Sequence, residues 1–396
     1  MAVDVRETAR APDTPIWLDS RYRAIFFQVV LLVIVLGFGA YIFHNTYANL
    51  ERRGIASGFG FLGSTAGFDI IMHLVPYSAA SSFGQALLVG LLNTLVVAGI
   101  GIVFATMLGF VIGVARLSRN WLIARLAAVY IEGIRNIPLL LQIIFWYQVL
   151  GKSTPGPRQS IGILGLFFIN NRGLYMPAPV FQEGFWLAPV ALAIGIVASI
   201  VVFRWARARQ VATGQQFPIL WTSLGLTFGL PLLALIVMGM PFHWDYPELQ
   251  GFNFSGGMVL IPEFISLTFA LVVYTAAFIG ETVRAGIMAV SHGQTEAAYA
   301  LGLRPGPTLR LVIIPQAMRV IIPPMTSQYL NLTKNSSLAT AIAYPDLVAV
   351  FAGTVLNQTG QAVECIAITM AVYLTTSLTT SVFMNWFNTK MALRER

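Results

Sequence analysis

Eight stretches of this chain, each close to a bilayer's thickness in helical length and nearly free of charge, govern everything else about it: residues 24–43, 85–115, 128–150, 185–203, 218–240, 262–283, about 320–343 and 363–387. A helix needs about 20 apolar residues to cross roughly 30 Å of hydrocarbon. Inside lipid every backbone N–H and C=O must find a partner within the protein, so such stretches fold as helices. The expected fold class is therefore an all-α polytopic membrane protein with about eight transmembrane helices. Composition agrees: only 10% of the 396 residues are charged, against about a quarter in soluble domains.

Positive residues stay preferentially on the cytoplasmic side of short loops, so the Lys and Arg count orients the chain. With the N-terminus inside, the inner segments hold 17 of the 24 basic residues and the outer loops hold 5, Arg52, Arg53, Lys152, Arg158 and Arg172. Arg135 and Lys334 fall within spans. The chain reads N-in, C-in. The net charge of +8 is thus a topology signal, and with no basic stripe interleaved with exposed aromatics it excludes nucleic acid as a partner. The lone Cys365 excludes an intrachain disulfide, and His44, His73, His243 and His292 lack metal-ligand spacing. Residues 1–23 have no apolar core and no small-residue cleavage site follows, so the first span is expected to be retained. The outer loops 44–84 and 151–184 are rich in Gly, Pro, Ser and Asn and read as irregular surface, a possible docking rim, with IGILGLFFI as a candidate re-entrant piece.

The segment from Tyr274 to Asp346 is dense in polar and breaker residues. Glu281 and Arg284 stand three apart and share a helix face at the inner end of the sixth span. SHGQTEAAYALG then offers Ser291 as N-cap, Gln294 as its capping-box partner and Gly302 as the stop, with Pro305 beyond. The result is a cytoplasmic helix of about three turns, too short to be stable without a surface to pack on. Its own membrane domain and a partner protein are both open as that surface.

The pattern Glu296-Ala297-Ala298, Gly302, then Val312-x-Ile314-Pro315 resembles the EAA loop of the permease subunits of ATP-binding-cassette importers. IEGIRNIPLLLQ (131–142), ETVRAGIMAVSHGQTEAAYALGL (281–303), PQAMRVIIPPM (315–325) and LTKNSSLATAI (332–342) resemble the polar amino acid subgroup, related to the histidine and glutamine permeases. The resemblance covers about 85–150 and 262–387. An added first span, a long outer loop and two spans inserted at about 185–240 depart from the short five-span pattern and resemble the Q-type permease subunit of the general L-amino acid importers.

That resemblance implies a type I importer transmembrane-domain fold with extra helices in a bacterial inner membrane. It divides the chain into an N-terminal tail, first span and outer loop (1–84), a permease domain (85–387) and a cytoplasmic tail (388–396). Gly293, Glu296, Ala297, Ala298, Gly302 and Pro315 fall on the ATPase-coupling pattern. The implied partners are two ATPase subunits, a second permease making a heterodimer, a periplasmic amino-acid-binding protein, and the amino acid itself. No cofactor is expected in this chain, since GKS at 151–153 would put the first glycine of a phosphate loop at Trp146. ATP and Mg belong to the partner, and this chain is expected to be non-catalytic.

An ionisable residue at membrane depth is costly, so Lys334 is the leading candidate for the substrate path. Asn331, Asn335, Ser336 and Ser337 surround it in sequence, and the seventh span is expected to break or to line a wet cavity there. A cation could attract the amino acid carboxylate, or instead pair with Glu281. Arg135, Asn136 and Pro138 interrupt the third span, with Glu132 placed to pair with Arg135 and a kink or gate as the two roles. Asn93 and Thr94 suit hydrogen-bonded helix packing better than a pathway. The competing class is an ion-coupled secondary amino acid transporter, which would need no EAA loop.

Overall fold

The computed structural model describes residues 20–52 and 57–391 and is mostly helical; the two tail segments at 1–19 and 392–396 lie outside the described residues. Among the described residues seven helices are long and apolar enough to span a bilayer, or eight where a helix pair bent by 104° counts as one span. In chain order the first crossings are α1 (Ser20–Arg52), α2 (Phe83–Arg116), the bent pair α3 (Trp121–Asn136) and α4 (Leu139–Ser153), and α5 (Leu187–Thr213). The next is α6 (Ile219–Leu224), running through a π turn at Gly225–Gly229 into α7 (Leu230–Val237), and then α8 (Pro262–Met288).

The third crossing corrects the expectation of one kinked span over 128–150. Ile137, the residue before Pro138, is held in extended backbone at φ −98°, ψ 126°, as steric clash with a following proline ring requires. The chain therefore turns rather than bends. Gln142 Nε2 donates to Ile134 O (3.0 Å) and Ile137 O (2.9 Å), satisfying carbonyls that the break releases.

The core is the contact between α2 and α8. Apolar surface gains little by leaving lipid for protein, so membrane helices associate through close packing of small residues. Gly109 and Gly113 of α2 provide it: a Cβ on Gly113 would stand 2.6 Å from Gly280 O and 2.7 Å from Val283 Cβ, and one on Gly109 would meet Ile279 Cβ at 2.6 Å. Leu267, Leu271, Ile279 and Val283 of α8 are fully buried as a result.

After α8 come α9 (His292–Ala300), α10 (Pro305–Thr308), a π turn at Leu309–Ile313 and α11 (Ile314–Asn335). The seventh span thus starts at Pro305 rather than near 320. At Ser336 it tightens into a 3-10 helix to Ile342, and Ala343 takes a left-handed conformation (φ 59°). A π-helical stretch Val348–Val355 and α12 (Leu356–Thr359) lead into α13 (Ala362–Met391).

The outer loops are more ordered than their composition suggests. IGILGLFFI (161–169) is not a re-entrant piece but forms most of an antiparallel hairpin of strands β1 (Ile161–Ile163) and β2 (Phe167–Asn170). β2 pairs with β3 (Gly173–Met176), and β3 with β8 (Met258–Leu260). β4 (Ala178–Phe181) pairs with β5 (Phe242–Asp245), and β6 (Glu248–Gln250) with β7 (Asn253–Ser255). These short strands, joining segments that flank α5–α7, form a cap on the outer side. The earlier loop is anchored too: Phe61, Ala66, Ile70 and Tyr77 share a core with Leu347, Val350 and Phe351. Burial first, and the Asp69 carboxylate second, raise the Tyr77 phenol above its usual pKa. It stays a donor, to Phe68 O at 3.2 Å.

Candidate functional site

The cytoplasmic loop carries the expected short helix, with one local correction. Ser291 occupies the N-cap but its side chain makes no capping hydrogen bond, so the capping box with Gln294 does not form. Gln294 Oε1 instead accepts from Gln316 Nε2 at 3.2 Å, which ties α9 to the start of α11. The C-terminal stop forms in full. Gly302 is left-handed (φ 80°), its N–H donates to Tyr299 O at 2.9 Å, and Leu303 N–H donates to Ala298 O at 3.1 Å. These are the two bonds of a Schellman cap, which a Cβ at Gly302 would strain.

The cap and the Gln294 tie divide α9 into two faces. Ala298 is buried at 4% exposure, while Tyr299 is 49% and Leu301 83% exposed. Gly293, Glu296 and Ala297 stand on the exposed side, with His292 Nδ1 3.1 Å from Glu296 Oε1. Pro315 lies half-buried in the first turn of α11. The helix rests on its own domain by one edge and offers an apolar and acidic face outward.

Just above it, Glu281 accepts from two arginines: Arg284 Nη2 at 2.6 Å to one oxygen and Arg116 Nη1 at 2.5 Å to the other. Arg116 also reaches Glu132 Oε1 at 3.1 Å. The expected Glu281–Arg284 pair therefore forms as part of a network joining α2, α3 and α8. Two pairings do not form. Glu132 goes to Arg116 rather than Arg135, whose guanidinium lies 4.9 Å from the Phe278 ring centroid, and Glu281 is engaged by Arg116 and Arg284 rather than Lys334. For Glu132 helix spacing named the i+3 partner Arg135, but Arg116, 16 residues earlier in sequence, takes its place.

Toward the outer side, α11 ends in the polar cluster singled out from sequence. Lys334 and Asn331 are exposed on this chain, on one face three residues apart, and Asn335 is half-buried. A cavity of about 230 Å³ between α8 and α11 is lined by Tyr274, Thr275, Phe278, Gln328, Asn331 and Asn335. Ser336 Oγ donates to Thr333 O and Ser337 Oγ to Lys334 O, both at 2.7 Å, so the hydroxyls take up carbonyls where the helix changes pitch.

A second polar knot was not read from sequence. Asp346 is fully buried, accepts from Ala349 N at 2.9 Å, and belongs to none of the ion pairs among the described residues. Beside it Asn93 Nδ2 donates to Met72 O (2.8 Å) and Pro345 O (2.9 Å). Thr94 Oγ1 accepts from Leu347 N at 3.0 Å, and Tyr344 donates to Asn93 O at 3.2 Å. Asn93 and Thr94 thus clasp the 343–347 segment and the outer loop to α2. An aspartate flanked by apolar residues in AYPDLVAV was the available signal.

Residues 211–393 match the family described as binding-protein-dependent transport system inner membrane component. The general L-amino acid transport system permease protein AapQ of Rhizobium johnstonii is 56% identical over 96% of this chain and 94% of its own length. The putative amino-acid ABC transporter permease protein YhdX of Escherichia coli is 55% identical over 94% and 95%. The glutamate/glutamine/aspartate/asparagine transport system permease protein BztB of Rhodobacter capsulatus is 46% identical over 96% of each.

The chain belongs to the polar amino acid permeases of ABC transporters. It is a multi-pass membrane protein and an amino acid permease subunit, and its fold class is an all-α polytopic membrane bundle. The relatives that match along nearly the whole chain are named as permease proteins of amino acid transport systems, which favours an ABC permease subunit over an ion-coupled secondary transporter.

Proposed function

We propose that this permease is the membrane path of an ATP-driven importer in a bacterial inner membrane, taking L-amino acids from a periplasmic binding protein and pairing with a second permease. A separate ATPase chain holds ATP and Mg and docks on α9. The single observation that carries the reading is the outward face of that helix: Glu296, Tyr299 and Leu301 are left exposed while Ala298 and the Schellman cap hold it rigid. A rigid, half-covered helix at the mouth of an ion network can transmit a push between two global states. AapQ is named for general L-amino acid transport and BztB for glutamate, glutamine, aspartate and asparagine; a broad polar amino acid cargo is the corresponding reading here. Lys334 and the Asn331–Asn335 face would guide the carboxylate common to all of them.

Two variants test this. Proline cannot adopt φ +80° and lacks the N–H that Gly302 donates; Gly302→Pro is expected to abolish uptake and copurification of the ATPase while the membrane bundle stays folded. Normal uptake and an intact complex would sink the docking role. Lys334→Gln is expected to raise the uptake KM about tenfold or more at equal expression, the loss of one charge-assisted contact. An unchanged KM and rate would remove Lys334 from the path. Substrate-stimulated ATPase activity of the reconstituted complex, measured with acidic, basic and neutral amino acids, sets the cargo.

A further inference from the structure

The inserted hairpin holds a groove that the proposed transport cycle does not use. About 760 Å³ in volume, it follows one face of α5 and is closed on its second side by Thr227 of the π turn. Its upper wall is apolar, with Ile196, Ile200 and Phe203, and its lower wall carries Arg204 and Arg207. The two helices touch closely at Gly195, where a Cβ would collide with Leu226 O. Ser199 Oγ closes the contact, 3.0 Å from Thr227 Oγ1.

The electrostatics of this hairpin are one-sided. From Gly184 to Trp244 the chain has no Asp or Glu, yet it carries Arg204, Arg207 and Arg209. Arg209 has partners, with Nη2 2.9 Å from Gln215 Oε1 and its guanidinium 5.5 Å from the Trp205 ring centroid. Arg204 and Arg207 are exposed, stand three residues apart on the groove face, and belong to none of the four ion pairs among the described residues. No carboxylate among the described residues supplies their counter-charge. From Leu187 to Phe203 the helix is free of charge, so the guanidiniums begin where the hydrocarbon ends, at the cytoplasmic headgroup level. An anionic amphiphile matches that order of surfaces: acyl chain against Ile196, Ile200 and Phe203, phosphate between the two guanidiniums, which fit phosphate oxygens in a bidentate fork.

We propose that this groove is a binding site for an anionic phospholipid of the cytoplasmic leaflet, held by Arg204 and Arg207 and seated along α5. Basic pockets on the cytoplasmic side of membrane helices recognise lipid headgroups in this way.

The test uses the full importer complex, or the full chain with its partner permease, in nanodiscs holding a fixed fraction of phosphatidylglycerol in phosphatidylcholine. Lipid retained after detergent extraction is counted by native mass spectrometry. The double variant Arg204→Gln, Arg207→Gln is expected to lose retained phosphatidylglycerol about tenfold or more, with phosphatidylcholine unchanged. Arg119→Gln, Arg125→Gln, which removes two cytoplasmic charges outside the groove, is expected to keep it. Equal retention in both double variants, an equal loss in both, or a parallel loss of phosphatidylcholine would each overturn the site. A benzophenone side chain at Phe203 in the otherwise unaltered chain gives an answer independent of the arginine variants. A phospholipid adduct of phosphatidylglycerol mass supports the site, and an adduct to another protein chain overturns it.

Discussion

The contact between α2 and α8 and the contact between α5 and the α6–α7 span are built from the same kind of material and differ in what surrounds them. Both are pairs of apolar helices brought together at glycine, a parallel pair at Gly109 and Gly113 in one case and an antiparallel pair at Gly195 in the other. Yet 61% of the α8 span window is buried within the chain, against 11% for α5 and none for the Ile219–Val237 span. The first pair is enclosed by α3, α4 and α11; the second is left to lipid or to other chains. Span number alone therefore says little about which helices do the work. The helices that carry the ion network, the polar cavity and α9 are those of the enclosed set.

The comparison breaks most readily at Gly113. A leucine there must push away Gly280 O and Val283, both backbone-proximal and neither able to yield, and overpacking of this kind costs about 1–3 kcal/mol or more. Gly113→Leu is expected to leave no monodisperse protein on size-exclusion chromatography. Gly225→Leu, at a glycine of the inserted hairpin with open space around its Cβ position, is expected to elute as the unaltered chain does. Matching profiles would mean that the enclosed contact is not the core.

Glu281→Gln sharpens the same point from the polar side. Among the described residues Glu281 is the only carboxylate that Arg116 and Arg284 share, and it is about a quarter exposed, so solvent softens the loss. A hydrogen bond to a charged group is worth about 1.5–3 kcal/mol, and about 2 kcal/mol of stability is expected to disappear, read as a lower thermal unfolding midpoint of the purified chain. Because the network sits at the end of α8 next to α9, uptake should fall by more than stability predicts. A normal midpoint with lost uptake would make the cluster a moving part rather than a brace.

The enclosed and open regions also differ in how well the sequence announces them. The apolar spans were legible, because bilayer thickness imposes a length on apolar runs that no tertiary contact overrides. Gly302 was legible for a similar reason, since a left-handed stop is a local demand. Partners distant in sequence were not: Arg116 with Glu281, Asn93 with Pro345, and β3 with β8 are all joined by the fold rather than by spacing. The outer cap escaped because strands of three or four residues carry too little alternation to register against Gly- and Pro-rich flanks. Pro138 signalled a kink, but the 104° turn also needed Gln142 to satisfy the freed carbonyls, and one glutamine in an apolar run does not declare that purpose.

The smallest effect is the sharpest discriminator. Thr94 and Thr227 are both threonines on apolar helices, each making one bond between segments: Thr94 Oγ1 accepts from Leu347 N at 3.0 Å, and Thr227 Oγ1 meets Ser199 Oγ at 3.0 Å. Valine in either place keeps the shape and removes the oxygen. At Thr94, which is 2% exposed, the Leu347 N–H is left buried without its acceptor, at a cost of about 1–3 kcal/mol. At Thr227 the abandoned Ser199 hydroxyl can turn to Ser223 O, 3.3 Å away, and interhelical bonds of this type in bilayers average about 0.6 kcal/mol. Thr94→Val is therefore expected to lower the unfolding midpoint measurably and Thr227→Val hardly at all. Equal losses would show that the inserted hairpin is as tightly integrated as the bundle, and that its exposure in the single chain hides a rigid attachment.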